Sequence, residues 1–89
     1  MDLIQNAKTD YVIISKKDCL FCDMVNELLN DYFIDYTVIK IETLTEEQLE
    51  EIKPKDATKY PFVFKDKIYI GSYNKLNKEL NKELNNGAL

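Results

Sequence analysis

Tyr11-Val12-Ile13-Ile14-Ser15-Lys16-Lys17-Asp18-Cys19-Leu20-Phe21-Cys22 is the stretch that decides the fold. Its opening residues form a continuous aromatic and β-branched run, the composition of a central strand covered on both faces. Its close, Cys19-Leu20-Phe21-Cys22, holds the only two cysteines of the 89 residues. A helical pattern starts at this point. Val25, Leu28, Leu29, Tyr32 and Phe33 recur at three- and four-residue spacing, which predicts about three turns burying one stripe. Two cysteines in the first turn of a helix share a face at about 5–6 Å, close to disulfide geometry, so the pair opens and closes with little backbone movement.

Outward from this stretch, Tyr36 to Ile41 reads as a second strand. Strand, helix and strand within about 30 residues form a right-handed parallel unit. A CxxC in that setting points to a thioredoxin-like arrangement. Thr45 with Gln48 fits a capping box and Leu44 with Leu49 a hydrophobic staple, predicting a short helix to about Lys53 with Glu46, Glu47, Glu50 and Glu51 on its solvated face. Phe62-Val63-Phe64 and Ile68-Tyr69-Ile70 flank a three-residue polar loop, Lys65-Asp66-Lys67, and read as an antiparallel hairpin. Beyond Gly71, leucines at 76, 80 and 84 stay on one side of a terminal amphipathic helix that packs on the sheet. Residues 3–8 fit a short leading helix. The expected fold is therefore α/β and thioredoxin-like: a four-stranded mixed sheet, built from a parallel βαβ unit and an antiparallel hairpin, flanked by helices in one domain over 1–89.

Composition narrows the function. A chain of this length buries about 60–65% of its unfolded surface and has no room for a second core. Ten aromatic residues supply that core, and a net charge of −4, with acids gathered between Glu42 and Glu51, argues against general binding to nucleic acid or anionic lipid. No apolar run approaches the roughly 18 residues of a membrane span, and Met1-Asp2 lacks the basic start of a secretory signal. The expected setting is a reducing, cytoplasmic one, where a lone CxxC is a working thiol pair or half of a metal site. Zinc fails on ligand count, since there is no histidine and no third cysteine. No metal ligand is therefore assigned.

A thiol reacts as its thiolate, and a helix N-terminus and adjacent cations favour that form. Cys19 is expected to have both, through the helix dipole and through Lys16 and Lys17, with Asp18 opposing. Cys22, one turn in and at the start of the buried stripe, is expected to be less exposed and less acidic. Cys19 is thus assigned as the attacking sulfur and Cys22 as the resolving one. The alternative from CxxC alone is a pair of packed, inert cysteines. Pro61 cannot donate to a ladder and marks a strand start or a tight bend.

Three motifs in order, Ser15 to Cys22, Lys59-Tyr60-Pro61-Phe62-Val63-Phe64 and Ile70-Gly71-Ser72-Tyr73-Asn74, make the chain resemble a glutaredoxin over nearly its whole length. The resemblance implies that Lys16 binds the glycine carboxylate of glutathione and that Phe21 walls its groove. It implies that Tyr60, before a cis Pro61, offers its backbone to the cysteinyl part like an added strand. Ser72, Tyr73 and Asn74 would surround the γ-glutamyl carboxylate at the start of the last helix, where amides favour an anion, and Lys59 would add a cation near the groove. Read without the resemblance, Lys16 is a solvated charge, Tyr60 a packing aromatic, and Ser72 or Asn74 a plain helix cap. Against the family's usual pattern, Leu20 replaces a proline, Lys59 a threonine, Tyr60 a valine, Ser72 a glycine and Asn74 an acid.

The activity implied is a glutathione-dependent thiol–disulfide oxidoreductase, glutathione being cosubstrate and glutathionylated or disulfide-bonded proteins its partners, on a monomer that binds neither nucleic acid nor membrane. Two other readings stay open. One is an iron–sulfur carrier in which two chains, each giving Cys19, share a cluster with two glutathiones. The other is a redox-inert thioredoxin-like module that holds a protein partner.

Overall fold

The computed structural model describes residues 3–88, with side chains described as far as residue 82. Its strands are β1 (Tyr11–Ser15), β2 (Tyr36–Lys40), β3 (Phe62–Lys65) and β4 (Ile68–Gly71), and its helices α1 (Leu20–Asp31), α2 (Glu46–Ile52) and α3 (Tyr73–Ala88). The sheet order is β2-β1-β3-β4. β1 pairs parallel with β2, Tyr11 against Tyr36 through Ser15 against Lys40, and antiparallel with β3, Ile14 against Phe62. β3 and β4 are antiparallel, with an irregularity between Val63 and Phe64. This is the expected α/β, thioredoxin-like sheet.

Alternation along the strands divides the core into two layers. Val12, Ile14, Phe62 and Phe64 face one way and bury Ile4, Ile52 of α2 and Ala57. Tyr11, Ile13 and Val63 face the other way, against Val25 and Leu29 of α1 and Leu76 and Leu80 of α3. All five residues of β1 are buried, because a strand with neighbours on both edges and helices on both faces meets no water. Leu76 and Leu80 hold α3 to the sheet as their spacing predicts, while the side chain of Leu84 lies outside the described residues.

Four local expectations change. Phe33 is 95% exposed rather than part of the buried stripe. α1 stops at Asp31 in a Schellman closure: Ile34 N–H donates to the Leu29 carbonyl at 3.0 Å and Phe33 N–H to that of Asn30 at 3.0 Å. Phe33 takes the left-handed position of that motif (φ 57°), which swings its ring off the apolar face and lets Ile34 pack in its place. The hairpin loop is two residues, not three. Asp66 and Lys67 both have positive φ (50° and 70°), the type I′ geometry that matches strand twist, and Lys65 is paired with Ile68. β2 ends at Lys40, and Ile41–Thr43 forms a 3-10 turn instead of extending the strand. Residues 3–6 form turns rather than a helix, with Ala7 N–H reaching the Ile4 carbonyl at 3.3 Å.

The capping box is present: Thr45 Oγ1 accepts from Gln48 N–H at 3.1 Å, and Gln48 Oε1 accepts from Thr45 N–H at 2.9 Å. Glu46, Glu47, Glu50 and Glu51 are exposed, as expected. Among the described residues no helix is long and apolar enough to cross a membrane.

Candidate active site

β1 delivers the chain to the top of the sheet at Ser15, and the loop Lys16-Lys17-Asp18 turns it into α1. Asp18 adopts a left-handed conformation (φ 56°) to make that turn. Lys17 N–H donates to Glu42 Oε2 at 2.9 Å, which ties the loop to the 3-10 turn after β2. Cys19 then sits at the N-cap of α1 with an extended backbone (φ −119°, ψ 107°). Its Sγ accepts the Cys22 N–H at 3.2 Å, the bond that a serine or threonine oxygen makes in an ordinary cap. The sulfur therefore lies at the positive end of a 12-residue helix, against an amide that has no partner within the helix.

The two thiols, both unbridged, differ sharply. Cys19 is half-buried, whereas Cys22 is only 3% exposed. Burial first, and then its hydrogen bond and charge interaction with Cys19, push the Cys22 thiol up from 9.0 to about 12. Cys22 therefore keeps its proton at neutral pH. This is the asymmetry expected from one cysteine at the cap and the other on the stripe.

Two hollows flank the motif. A groove of about 190 Å³ is lined by Phe21, Lys59, Tyr60, Ser72, Tyr73, Asn74 and Lys75. Three separate chain segments meet there: the first turn of α1, the approach to β3, and the start of α3. Phe21 and Tyr73 rings lie 6.1 Å apart across it. The Tyr60–Pro61 bond is cis, and Pro61 is buried. Tyr60 stacks on Phe62 with ring centroids 4.2 Å apart, and burial raises its phenol above the usual value. The second hollow, a cleft of about 490 Å³ on the other side, is lined by the Lys16-Lys17-Asp18 loop, Cys19, Cys22, Asp23, Asn26 and Glu42 among others. Asn26 Oδ1 is buried there without a hydrogen-bond partner among the described residues.

Of the residues singled out from sequence, Phe21, Lys59, Tyr60, Ser72, Tyr73 and Asn74 line one groove. Cys19, Cys22, Pro61 and Lys16 do not line it, and Cys19, Cys22 and Lys16 line the second hollow instead. Lys16 Nζ stands over the Tyr60 ring at 5.6 Å, so its cation caps the aromatic. Ser72 stands at the start of α3, where its carbonyl accepts the Leu76 N–H at 3.1 Å, and it also lines the groove. Gly71 needs its positive φ (123°), and a Cβ there would come within 2.7 Å of Lys75 Cγ. Sequence reading missed Glu42 and Lys75. For Glu42 a signal existed: the parallel register sets Ser15 opposite Lys40, an offset of 25, and the same offset brings Glu42 to Lys17. Among the described residues no group of three or more His, Cys, Asp and Glu side chains is placed to hold a metal ion.

The family model for glutaredoxin matches residues 11–70, more than half of the chain. The fold is similar to the holo form of glutaredoxin C1 from Populus tremula x tremuloides, at 21% identity over 83% of this chain and 76% of that one, with a TM-score of 0.71. It is similar to the dithiolic glutaredoxin 2-C-Grx1 of Trypanosoma brucei brucei, at 28% identity over 84% and 79%, with a TM-score of 0.68. A buckwheat glutaredoxin–glutathione complex is similar at 19% identity over 84% and 71%, with a TM-score of 0.70. No curated protein sequence matches the chain significantly. With a capping cysteine, a buried second thiol and a family match that runs from the first strand to the last, the chain belongs to the glutaredoxin family of thiol oxidoreductases.

Proposed function

We propose that the protein reduces mixed disulfides between proteins and glutathione, with Cys19 as nucleophile and glutathione as cosubstrate. The observation that carries this reading is the asymmetry of the thiol pair: Cys19 at a helix cap and lining an open cleft, Cys22 buried and protonated. The Cys19 thiolate attacks the glutathionyl sulfur of a protein mixed disulfide. A Cys19–glutathione disulfide forms, and the protein leaves as a thiolate that takes a proton from water. A second glutathione thiolate then attacks the glutathionyl sulfur held on Cys19. Glutathione disulfide leaves and the Cys19 thiolate returns. In the dithiol branch Cys22 gives up its proton and attacks Cys19 Sγ, releasing glutathione as thiolate, and the burial that disfavours the Cys22 thiolate opposes that step.

In this reading the bound glutathione lies along the groove. Tyr60 and Pro61 meet its cysteinyl part, Phe21 and Tyr73 wall it, Ser72 and Asn74 meet the γ-glutamyl carboxylate, Lys59 adds a cation, and Lys16 takes the glycine carboxylate. A solved glutathione complex of a buckwheat relative with the same fold supports the choice of cosubstrate. The test is a glutathione-coupled reduction assay on single variants. Cys19→Ser abolishes turnover, while Cys22→Ser retains deglutathionylation of a glutathionylated peptide. Activity surviving in Cys19→Ser would remove the assignment.

A further inference from the structure

Cys22 and Asn26 stand one turn apart on α1 and line the same cleft. Helical side chains lean toward the N-terminus, which lays the Asn26 amide over the turn that carries Cys22. Tyr36 of β2 reaches the Asn26 carbonyl with its hydroxyl at 3.5 Å, which sets this turn of the helix against β2. Among the described residues, Asn26 Oδ1 is the one buried side-chain nitrogen or oxygen without a hydrogen-bond partner. A lone buried acceptor lowers stability until a donor reaches it.

We propose that Asn26 is a positioning residue that parks the resolving thiol: when Cys19 carries glutathione, the Cys22 S–H turns to Asn26 Oδ1, and the adduct waits for an external thiol instead of closing on itself. This rests on the reading of Cys19 and Cys22 given above. In the reduced pair the Cys22 thiol is hydrogen-bonded to Cys19. Once Cys19 is joined to glutathione its sulfur is neutral and a weak acceptor, and the amide oxygen one turn away is the stronger one. Asp23 and Glu42 line the cleft as well. Asp23, however, stands about 100° around the helix from Cys22 and is exposed, and Glu42 accepts the Lys17 N–H. A bond to the protonated thiol has to break before attack, which slows closure by about 3- to 10-fold, the strength of one neutral hydrogen bond.

Closure is the step to measure. Cys22 loses its proton to water, its thiolate attacks Cys19 Sγ, the Cys19–Cys22 disulfide forms, and glutathione leaves as a thiolate that takes a proton from water. The reduced full chain is mixed with glutathione disulfide and quenched in acid, and the Cys19 adduct and the closed disulfide are followed by mass spectrometry. Asn26→Leu and Asn26→Ala both remove the acceptor. Each is expected to close about 3- to 10-fold faster than the wild type, relative to its own rate of Cys19 alkylation by iodoacetamide. The urea midpoint of Asn26→Leu is expected at or above that of the wild type, because an apolar side chain of similar size replaces a lone buried acceptor, and this separates lost parking from a loosened helix. Closure unchanged or slower in both variants, or faster only where the midpoint falls, overturns the proposal while leaving the Cys19 reading intact. If wild-type Cys19 forms the adduct no faster than an unstructured cysteine peptide, the reading of Cys19 fails and the proposal with it.

Discussion

Leaving each thiol alone in turn measures the asymmetry on which the chemistry depends. In Cys19→Ser, Cys22 remains as the single thiol, 3% exposed in the native chain. A rise from 9.0 to about 12 lowers the thiolate fraction at pH 7 by about three decades. Substituting Cys19 removes two of the causes of that rise but not the first and largest, burial, so at least about a hundredfold suppression should survive. The assay is pseudo-first-order alkylation by iodoacetamide at pH 7, with the same variant in denaturant as its own reference. The folded Cys22 thiol is expected to react at least about a hundred times more slowly than the unfolded one, and Cys19 in Cys22→Ser to react far faster than folded Cys22. Suppression of Cys22 by less than about tenfold would show that burial does not hold its proton, and the division into attacking and resolving sulfurs would lose its physical basis.

The same shift predicts an alkaline weakness. Because the folded thiol keeps its proton to about 12 while the unfolded one ionises near 9.0, stability is full below pH 9 and falls as pH rises between those values, by on the order of 1 kcal/mol at pH 10; urea melts at pH 8 and 10 should show a larger loss in the wild type than in Cys22→Ser, where only the raised Tyr60 phenol still contributes in the same sense. Phe33→Gly should leave stability unchanged or raise it by up to about 1 kcal/mol, since an exposed ring in a left-handed position gives way to the residue that prefers it; a loss of the 3–5 kcal/mol typical of a core phenylalanine would contradict the Schellman closure. Glu42→Ala frees the Lys17 amide and should slow Cys19 turnover about 3- to 10-fold, with Glu42→Gln, which keeps an acceptor, restoring most of it; no recovery in the glutamine variant would mean that the bond does not position the loop.

What could be read along the chain was whatever neighbours in sequence enforce on each other. The β-branched run of β1, the Leu76–Leu80 spacing of α3, the Thr45–Gln48 box and the placement of Cys19 before Cys22 on the helical stripe are all local patterns, and each appears as read. The reading failed where a single backbone angle redirects a side chain. Phe33 continues the apolar spacing of α1 but sits one residue past the helix cap, and a left-handed φ sends it to water.

Periodicity and composition by themselves determined the strand and helix segments and which sulfur heads the helix, because those depend on interactions a few residues apart. Only the tertiary structure decided that Lys16 covers the Tyr60 ring, that Glu42 holds the active-site loop, and that Lys59 and Lys75 converge on one groove while the acids face the other cleft. The physical reason is that these contacts join segments whose meeting is set by strand register and by the turns at Asp18 and Gly71, and no local pattern encodes the distance between them.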